Sequence, residues 1–321
     1  MTRVRLTLAC TDLFDRTGPL IAGDVDTGDL ELEISSLLPI ELMARYGEFD
    51  VCEVPLAALM GLHGREEWDY ACIPVFPHRA FQHRNVIVRR GSGIRSPQDL
   101  AGKTIAVNGL YYSGTVWIRG ILEEYYGLAP TDLRWVTAGK PGGLVRQTLA
   151  DTMMSTPADI ERVDEDVSDL LARGEADAWM GPTLPASYVA GHPDLERLFE
   201  DFRPVEERYA DEVGYVPILH VVAIRRRVLR EHPEVAGALT DIFARSRALG
   251  HERLVGYGIP ACSLPWIVHD LEALPQMFGG DWFPHGLEEN RPALETMFRY
   301  AWQQGVLDAG VGIDELFVPV A

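Results

Sequence analysis

GSGIRSPQDLAGKTIAV (residues 91–107) begins as a polar, glycine-rich passage and ends as a fresh apolar strand. It follows one extended segment, NVIVRR (85–90). A second long extended run, YVPILHVVAIRRR (215–227), comes after a charged stretch. Two extended passages on either side of a middle segment predict a chain that crosses to a second lobe and returns. In that layout a ligand cleft lies between lobes that close around it, and the two passages serve as hinge strands. The predicted division is 1–90 plus 218–321 for the first lobe and 91–217 for the second.

Strand-like segments recur outward from these crossings: VRLTLA (4–9), LELEIS (30–35), FDVCEV (49–54), KTIAV (103–107), LRWV (133–136), ADAWM (176–180) and ILHVVAI (218–224). Helical patterns lie between them. In VWIRGILEEYYG, Ile118, Ile121, Leu122 and Tyr125 recur at helical spacing and Gly127 follows as a stop. In NRPALETMFRYAWQQG, Pro292 opens, Leu294, Met297, Phe298 and Ala301 form one face, and Gly305 closes. Strands alternating with helices predict an α/β fold with largely parallel sheets.

The 321 residues suffice for two domains of ordinary size. Hydrophobic residues make up 47% and charged residues 24%, the balance of a soluble globular chain. The formal net charge of −19 argues against nucleic acid and against anionic membrane surfaces as partners. It does not exclude an anionic ligand, because a local group of arginines can reverse the field in one pocket. LTLAC (6–10) resembles a lipoprotein cleavage box, but the nine residues before Cys10 include Arg3 and Arg5 and leave no room for an apolar signal core. VRLTLA therefore reads as the first strand, with a cytoplasmic location expected. Cys10, Cys52, Cys72 and Cys262 show no CxxC spacing and read as free thiols. The sequence leaves a homo-oligomer open.

IPVFPHRAFQHR (73–84) crowds two prolines, two histidines, two arginines and two phenylalanines into one bend. A solvated loop is the plain reading. A pocket for an anionic ring is the sharper one, with Arg79 supplying charge, Phe81 an apolar wall, and His78 and His83 groups that titrate near neutrality.

Several passages carry a family resemblance. RSPQDLAGKTIAV is similar to the passage that opens the second lobe of type II periplasmic-binding-protein folds. LTLACTDLFDRT, EFDVCEV, IPVFPHRAFQHR, VWIRGILEEYYG, RGEADAW, PILHVVAIRRRV and DWFPHGLEENRPALETMFRYAWQQG resemble, in order, the 4,5-dihydroxyphthalate decarboxylase family. The similarity runs from about residue 6 to DELFVP at 314–319. The chain departs from the family pattern at Phe14, where a tyrosine is usual, at His78, where serine is usual, and at Thr183, where an arginine is expected.

The resemblance implies a decarboxylase of a hydroxylated aromatic dicarboxylate on a binding-protein scaffold, without an organic cofactor. Direct loss of CO2 would leave an aryl carbanion. Protonating the ring carbon while a base withdraws the para hydroxyl proton gives a dienone that can expel CO2. Such a site needs cations for carboxylates, a base and an acid. The candidate catalytic residues are His83, His220 and Glu53. Arg16, Arg79, His78, Phe81, Tyr112, Ser113, Thr115 and Thr183 are candidates for binding the aromatic carboxylate.

Each candidate has a structural alternative. Arg16 can pair with Asp12 or Asp15, and Glu53 can serve as the buried partner of an arginine. His83 and His220 can be packed core histidines. Ser113 can be a plain N-cap, or it can help present backbone N–H groups to an anion at the start of its helix. Trp282 and His285 read as structural. His78, His83, His220 and Glu53 could also gather around a metal, but their spacing shows no H-x-x-x-H or H-E-x-x-H signal. Two other functions fit the same residues: an aromatic-acid binding protein without chemistry, and a different lyase reaction on the same scaffold.

Overall fold

The computed structural model describes residues 3–38, 41, 45–64, 68–138, 159–256, 262–308 and 310–320. The chain forms two units. One comprises Met1–Arg79, Gly214–Glu295 and Val311–Ala321, and the other Ala80–Val213 and Thr296–Gly310.

The strands, in chain order, are β1 (Val4–Cys10), β2 (Leu30–Ser36), β3 (Val51–Pro55), β4 (Tyr70–Ile73), β5 (Ile87–Arg89), β6 (Thr104–Ala106), β7 (Arg134–Ala138), β8 (Asp159–Val163), β9 (Ala178–Trp179), β10 (Leu195–Arg197) and β11 (His220–Arg225). The described residues of the first unit form a sheet in the order β2-β1-β3-β11-β4, and those of the second a sheet in the order β10-β5-β9-β6-β7-β8.

In the first unit, β1 alternates so that Leu6, Leu8 and Cys10 enter the core. There they meet Leu239, Ile242 and Phe243 of the Val235–Val255 helix. Burying one such side chain is worth about 1.5–3 kcal/mol. On the other face, Asp50 accepts from the Thr7 N–H and hydroxyl at 3.1 and 3.0 Å, tying β1 to the start of β3. β1 runs parallel to β2 and β3. β11 runs antiparallel to β3 and β4, with His220 opposite Pro55 and Val222 opposite Glu53. Glu53 and His220 are therefore diagonal neighbours on one face of the sheet, close enough for long side chains to meet.

The sheets are mixed rather than largely parallel. β11 enters its sheet directly from the other unit, so no helical crossover obliges it to run parallel to its neighbours. β5 and β10 are likewise antiparallel to their partners in the second sheet. β5 lies inside the expected first lobe (1–90) but pairs with β9 and β10, so the chain passes to the second unit at 79/80. Residues 296–310, also expected in the first lobe, group with the second unit. There Tyr300 packs edge-on against Trp117.

The helix expected around 116–126 spans Ser113–Tyr126 and ends at Gly127 in the left-handed conformation, φ 67°. Its N-cap is Tyr112, so Ser113 is the first helical residue rather than the cap. The helix expected after Pro292 spans Arg291–Gln303, with Leu294, Met297, Phe298 and Ala301 buried.

Candidate active site

Four strand ends of the first unit meet at one edge of its sheet: the carboxyl ends of β1, β3 and β4 and the amino end of antiparallel β11. In open α/β sheets this edge is where ligands bind. The register that places Ala9 beside Cys52 brings Thr11 level with the Glu53 side chain. Glu53 Oε2 accepts from the Thr11 N–H at 3.0 Å, and Oε1 lies 2.5 Å from His220 Nδ1. The Glu53 side chain is 0% exposed and that of His220 10%. In the arrangement where the carboxylate accepts, Nδ1 is the donor of this bond. Nε2 is left as the nitrogen able to take up and give back a proton.

Two further rings complete this cluster. His78 stands edge-on to His220, with centroids 4.8 Å apart at 85°. Phe14 stacks on His78 at 4.5 Å and meets His220 at 6.4 Å. The bend that carries His78 is fixed by the backbone, because its carbonyl accepts from Leu219 N at 2.8 Å and His220 N at 3.1 Å. The Phe14 loop is fixed by the Val235–Val255 helix. Ser246 Oγ donates to the Arg16 carbonyl at 2.7 Å and accepts from Leu20 N at 3.1 Å. One turn on, a Cβ at Gly250 would overlap the Asp15 carbonyl, so only glycine allows this approach.

Arg16 and Arg79 are engaged differently. Arg79 is buried; its Nη2 donates to the Pro284 carbonyl at 2.6 Å and to Asn290 Oδ1. Burial, and then the nearby charge of Arg16, push its pKa down to about 9. Arg16 pairs with Asp15 at 3.5 Å and lies over Phe283 at 4.2 Å and Phe14 at 5.4 Å. Its Nε has no hydrogen-bond partner among the described residues. Burial lowers its pKa. Arg79 Nε is unpartnered in the same way, so the two arginines differ in their terminal nitrogens: Arg79 Nη2 is bound to Pro284 and Asn290, and Arg16 has only the 3.5 Å pair with Asp15 among the described residues.

The other candidates lie in the second unit. His83 is buried, edge-on to Phe199 at 5.3 Å and Tyr209 at 5.5 Å, and burial lowers its pKa to about 4. At neutral pH it is an uncharged ring among aromatics. Phe81 meets Tyr209 at 6.3 Å. Tyr112 packs against Tyr111 at 4.8 Å. Ser113 and Thr115 are buried in the first turn of their helix, and Thr115 Oγ1 has no partner among the described residues. Thr183 accepts from Asn108 Nδ2 at 3.4 Å, and its carbonyl accepts from Trp179 Nε1 at 2.9 Å.

Three contributors were not legible in the sequence: Thr11, which acts through its backbone, Asn290, and Phe283. Nothing in the chain links Asn290 to a residue 211 positions away. His285, read as structural, accepts from Phe76 N at 3.3 Å and so anchors the bend. Cys10 ends β1 beside Glu53. Burial, then the charges of Glu53 and Asp12, raise its pKa and keep it a neutral thiol. Among the described residues, no three His, Cys, Asp or Glu side chains are grouped to hold a metal ion.

Known proteins resemble this chain at two levels. A 4,5-dihydroxyphthalate decarboxylase of Comamonas testosteroni is 30% identical over 328 residues, covering 100% of this chain and 98% of that protein. A 4,5-dihydroxyphthalate decarboxylase of Pseudomonas putida is 32% identical over 209 residues, covering 63% of this chain and 79% of that protein. No protein-family model matches. Among solved structures, the desulfurization enzyme DszB superposes with a TM-score of 0.55 at 16% identity, covering 99% of this chain and 97% of that one. The periplasmic aliphatic sulphonate binding protein SsuA of Escherichia coli superposes with a TM-score of 0.55 at 12% identity, covering 100% and 93%. These likenesses establish the periplasmic-binding-protein fold. Identity of 30% across the full length goes further: the chain belongs to the 4,5-dihydroxyphthalate decarboxylase family and is a decarboxylase.

Proposed function

We propose that this decarboxylase acts on a hydroxylated aromatic dicarboxylate of the 4,5-dihydroxyphthalate type, by ring protonation followed by loss of CO2, with His220 as the proton carrier. The observation that carries the reading is the buried contact of Glu53 Oε1 with His220 Nδ1. A carboxylate that fixes one imidazole nitrogen stabilises the imidazolium and aims the other nitrogen, as general acid–base chemistry requires.

The steps balance without an outside electron acceptor. The protonated His220 delivers a proton to the ring carbon that bears the carboxylate, while the para hydroxyl gives up its proton to a base. The ring is then a dienone. The bond to the carboxylate breaks, its electron pair returns to the ring, and the dienone oxygen becomes a phenolate that takes a proton back. The net change is one proton consumed and one CO2 released. Because the para oxygen is the electron sink, the chemistry asks for no organic cofactor. Arg16, with an unpartnered Nε and only a long pair to Asp15, is suited to hold a substrate carboxylate as a forked contact.

The test is to incubate the protein with 4,5-dihydroxyphthalate and related hydroxybenzoates, following CO2 and the loss of the substrate's ultraviolet band. Stoichiometric CO2 supports the reading. Saturable binding without CO2 would overturn the proposed substrate and the role of the Glu53–His220 pair in turning it over.

A further inference from the structure

The Glu53–His220 cluster does not account for a cavity of about 730 Å³ behind the Phe14 loop. Leu13, Asp15 and Arg16 line one side and Ile267, Leu271 and Leu274 another, with Trp282 and Phe283 between. Glu53, His78 and His220 take no part in its wall. Its volume is that of a small-molecule site.

The chemistry of the wall selects the ligand. Most of it is aliphatic or aromatic. Asp281 is neutralised by the two-pronged contact of Arg247, at 2.8 and 2.6 Å. Asp15 and Asp270 are partly exposed. Arg247 and His251 also line the wall, and both terminal nitrogens of Arg247 are spent on Asp281 and the Phe283 carbonyl. Arg16 has one ion pair among the described residues, 3.5 Å long to Asp15, and its Nε, like that of Arg247, is buried without a hydrogen-bond partner there. A guanidinium with a single long ion pair at the edge of an apolar cavity matches one carboxylate on an apolar body. A hydroxylated dicarboxylate fits less well, because its second anionic group would meet hydrocarbon or an Arg247 already bound to Asp281 and the Phe283 carbonyl.

We propose that this cavity is a second ligand site, for an aromatic monocarboxylate, with the ring among Leu271, Leu274 and Phe283 and the carboxylate on Arg16. Arg16 is also the residue suited to hold the substrate carboxylate. An occupied cavity therefore draws it away and inhibits turnover, a consequence that rests on the proposed function while the binding itself does not.

The experiment uses the full-length protein and 2-naphthoate, with 2-naphthalenemethanol as the uncharged counterpart, by titration calorimetry. The expected result is saturable binding of the acid, at least about tenfold tighter than the alcohol. Leu271→Trp, which fills the cavity, should weaken it at least about tenfold while CO2 release without the acid stays at the wild-type rate. Inhibition by 2-naphthoate should disappear in the same variant. Equal binding of acid and alcohol, unchanged binding to Leu271→Trp, or no saturable binding overturns the site. If the protein releases no CO2 from any substrate, the calorimetry still decides the site while the proposed reaction fails separately.

Discussion

Glu53 and His220 meet at 2.5 Å across two antiparallel strands, with the second Glu53 oxygen held by the Thr11 N–H. Both ends of the carboxylate are thus fixed by backbone register, and the imidazole inherits that precision. Glu53→Gln preserves the shape and the bond from Thr11 but loses the negative charge beside His220. We expect kcat to fall by about 10²–10⁴-fold with KM changed only a few-fold, since the charge matters most when the ring is protonated. Steady-state kinetics on a variant with a native thermal transition checks this.

The two arginines should separate stability from affinity. Arg79 is bound to Asn290 and Pro284 within the fold, so Asn290→Ala leaves a buried guanidinium short of an acceptor. A loss of about 1–3 kcal/mol in unfolding free energy is expected. With Arg16 holding a substrate carboxylate as proposed, Arg16→Ala should weaken dicarboxylate binding by about 1.5–3 kcal/mol with a smaller change in stability. Denaturant unfolding and calorimetry on both variants distinguish the two roles.

The fold was more legible than the site. Gly127 marked a helix end, and Leu294, Met297, Phe298 and Ala301 marked a buried face, because helix stops and periodicity are local signals. VRLTLA (4–9) read as a strand, and β1 runs one residue further, to Cys10. Local signals could not show that β5 pairs in the second sheet, since a three-residue strand reads the same in either unit. Glu53 and His220 could each be named as candidates from their strands, but their pairing depends on a register 167 residues apart in sequence. The alternative of an arginine partner for Glu53 gives way to His220 and Thr11 for the same reason.

Gly250→Ala tests how the Phe14 loop is held. In an unobstructed helix this change adds up to about 1 kcal/mol of stability. Here the new Cβ would overlap the Asp15 carbonyl, so we expect the opposite sign, a loss of about 1–3 kcal/mol, together with reduced turnover. Thermal unfolding gives the sign directly.

His83 should make stability depend on acidity. Its folded pKa is lowered from 6.5 to about 4, so between those values the unfolded chain binds a proton that the folded chain refuses. Stability from this group is full above about pH 6.5 and is lost as pH falls toward 4, by up to about 3 kcal/mol. Glu206 opposes it: burial raises its pKa to about 6, so its contribution is present at low pH and lost as pH rises through that value. Comparing His83→Gln with wild type cancels the Glu206 effect. The variant should show a shallower loss of unfolding free energy between pH 6.5 and 4, and parallel curves would return His83 to a group with no linkage to folding.

The most direct measurement is the rate of CO2 release from 4,5-dihydroxyphthalate by His220→Gln, beside the wild-type protein at saturating substrate. With His220 as the proton carrier, the wild type should release one CO2 per substrate consumed. The variant should be slower by at least about 100-fold, with substrate affinity within a few-fold of wild type. A correctly folded His220→Gln that releases CO2 at the wild-type rate would contradict the assignment.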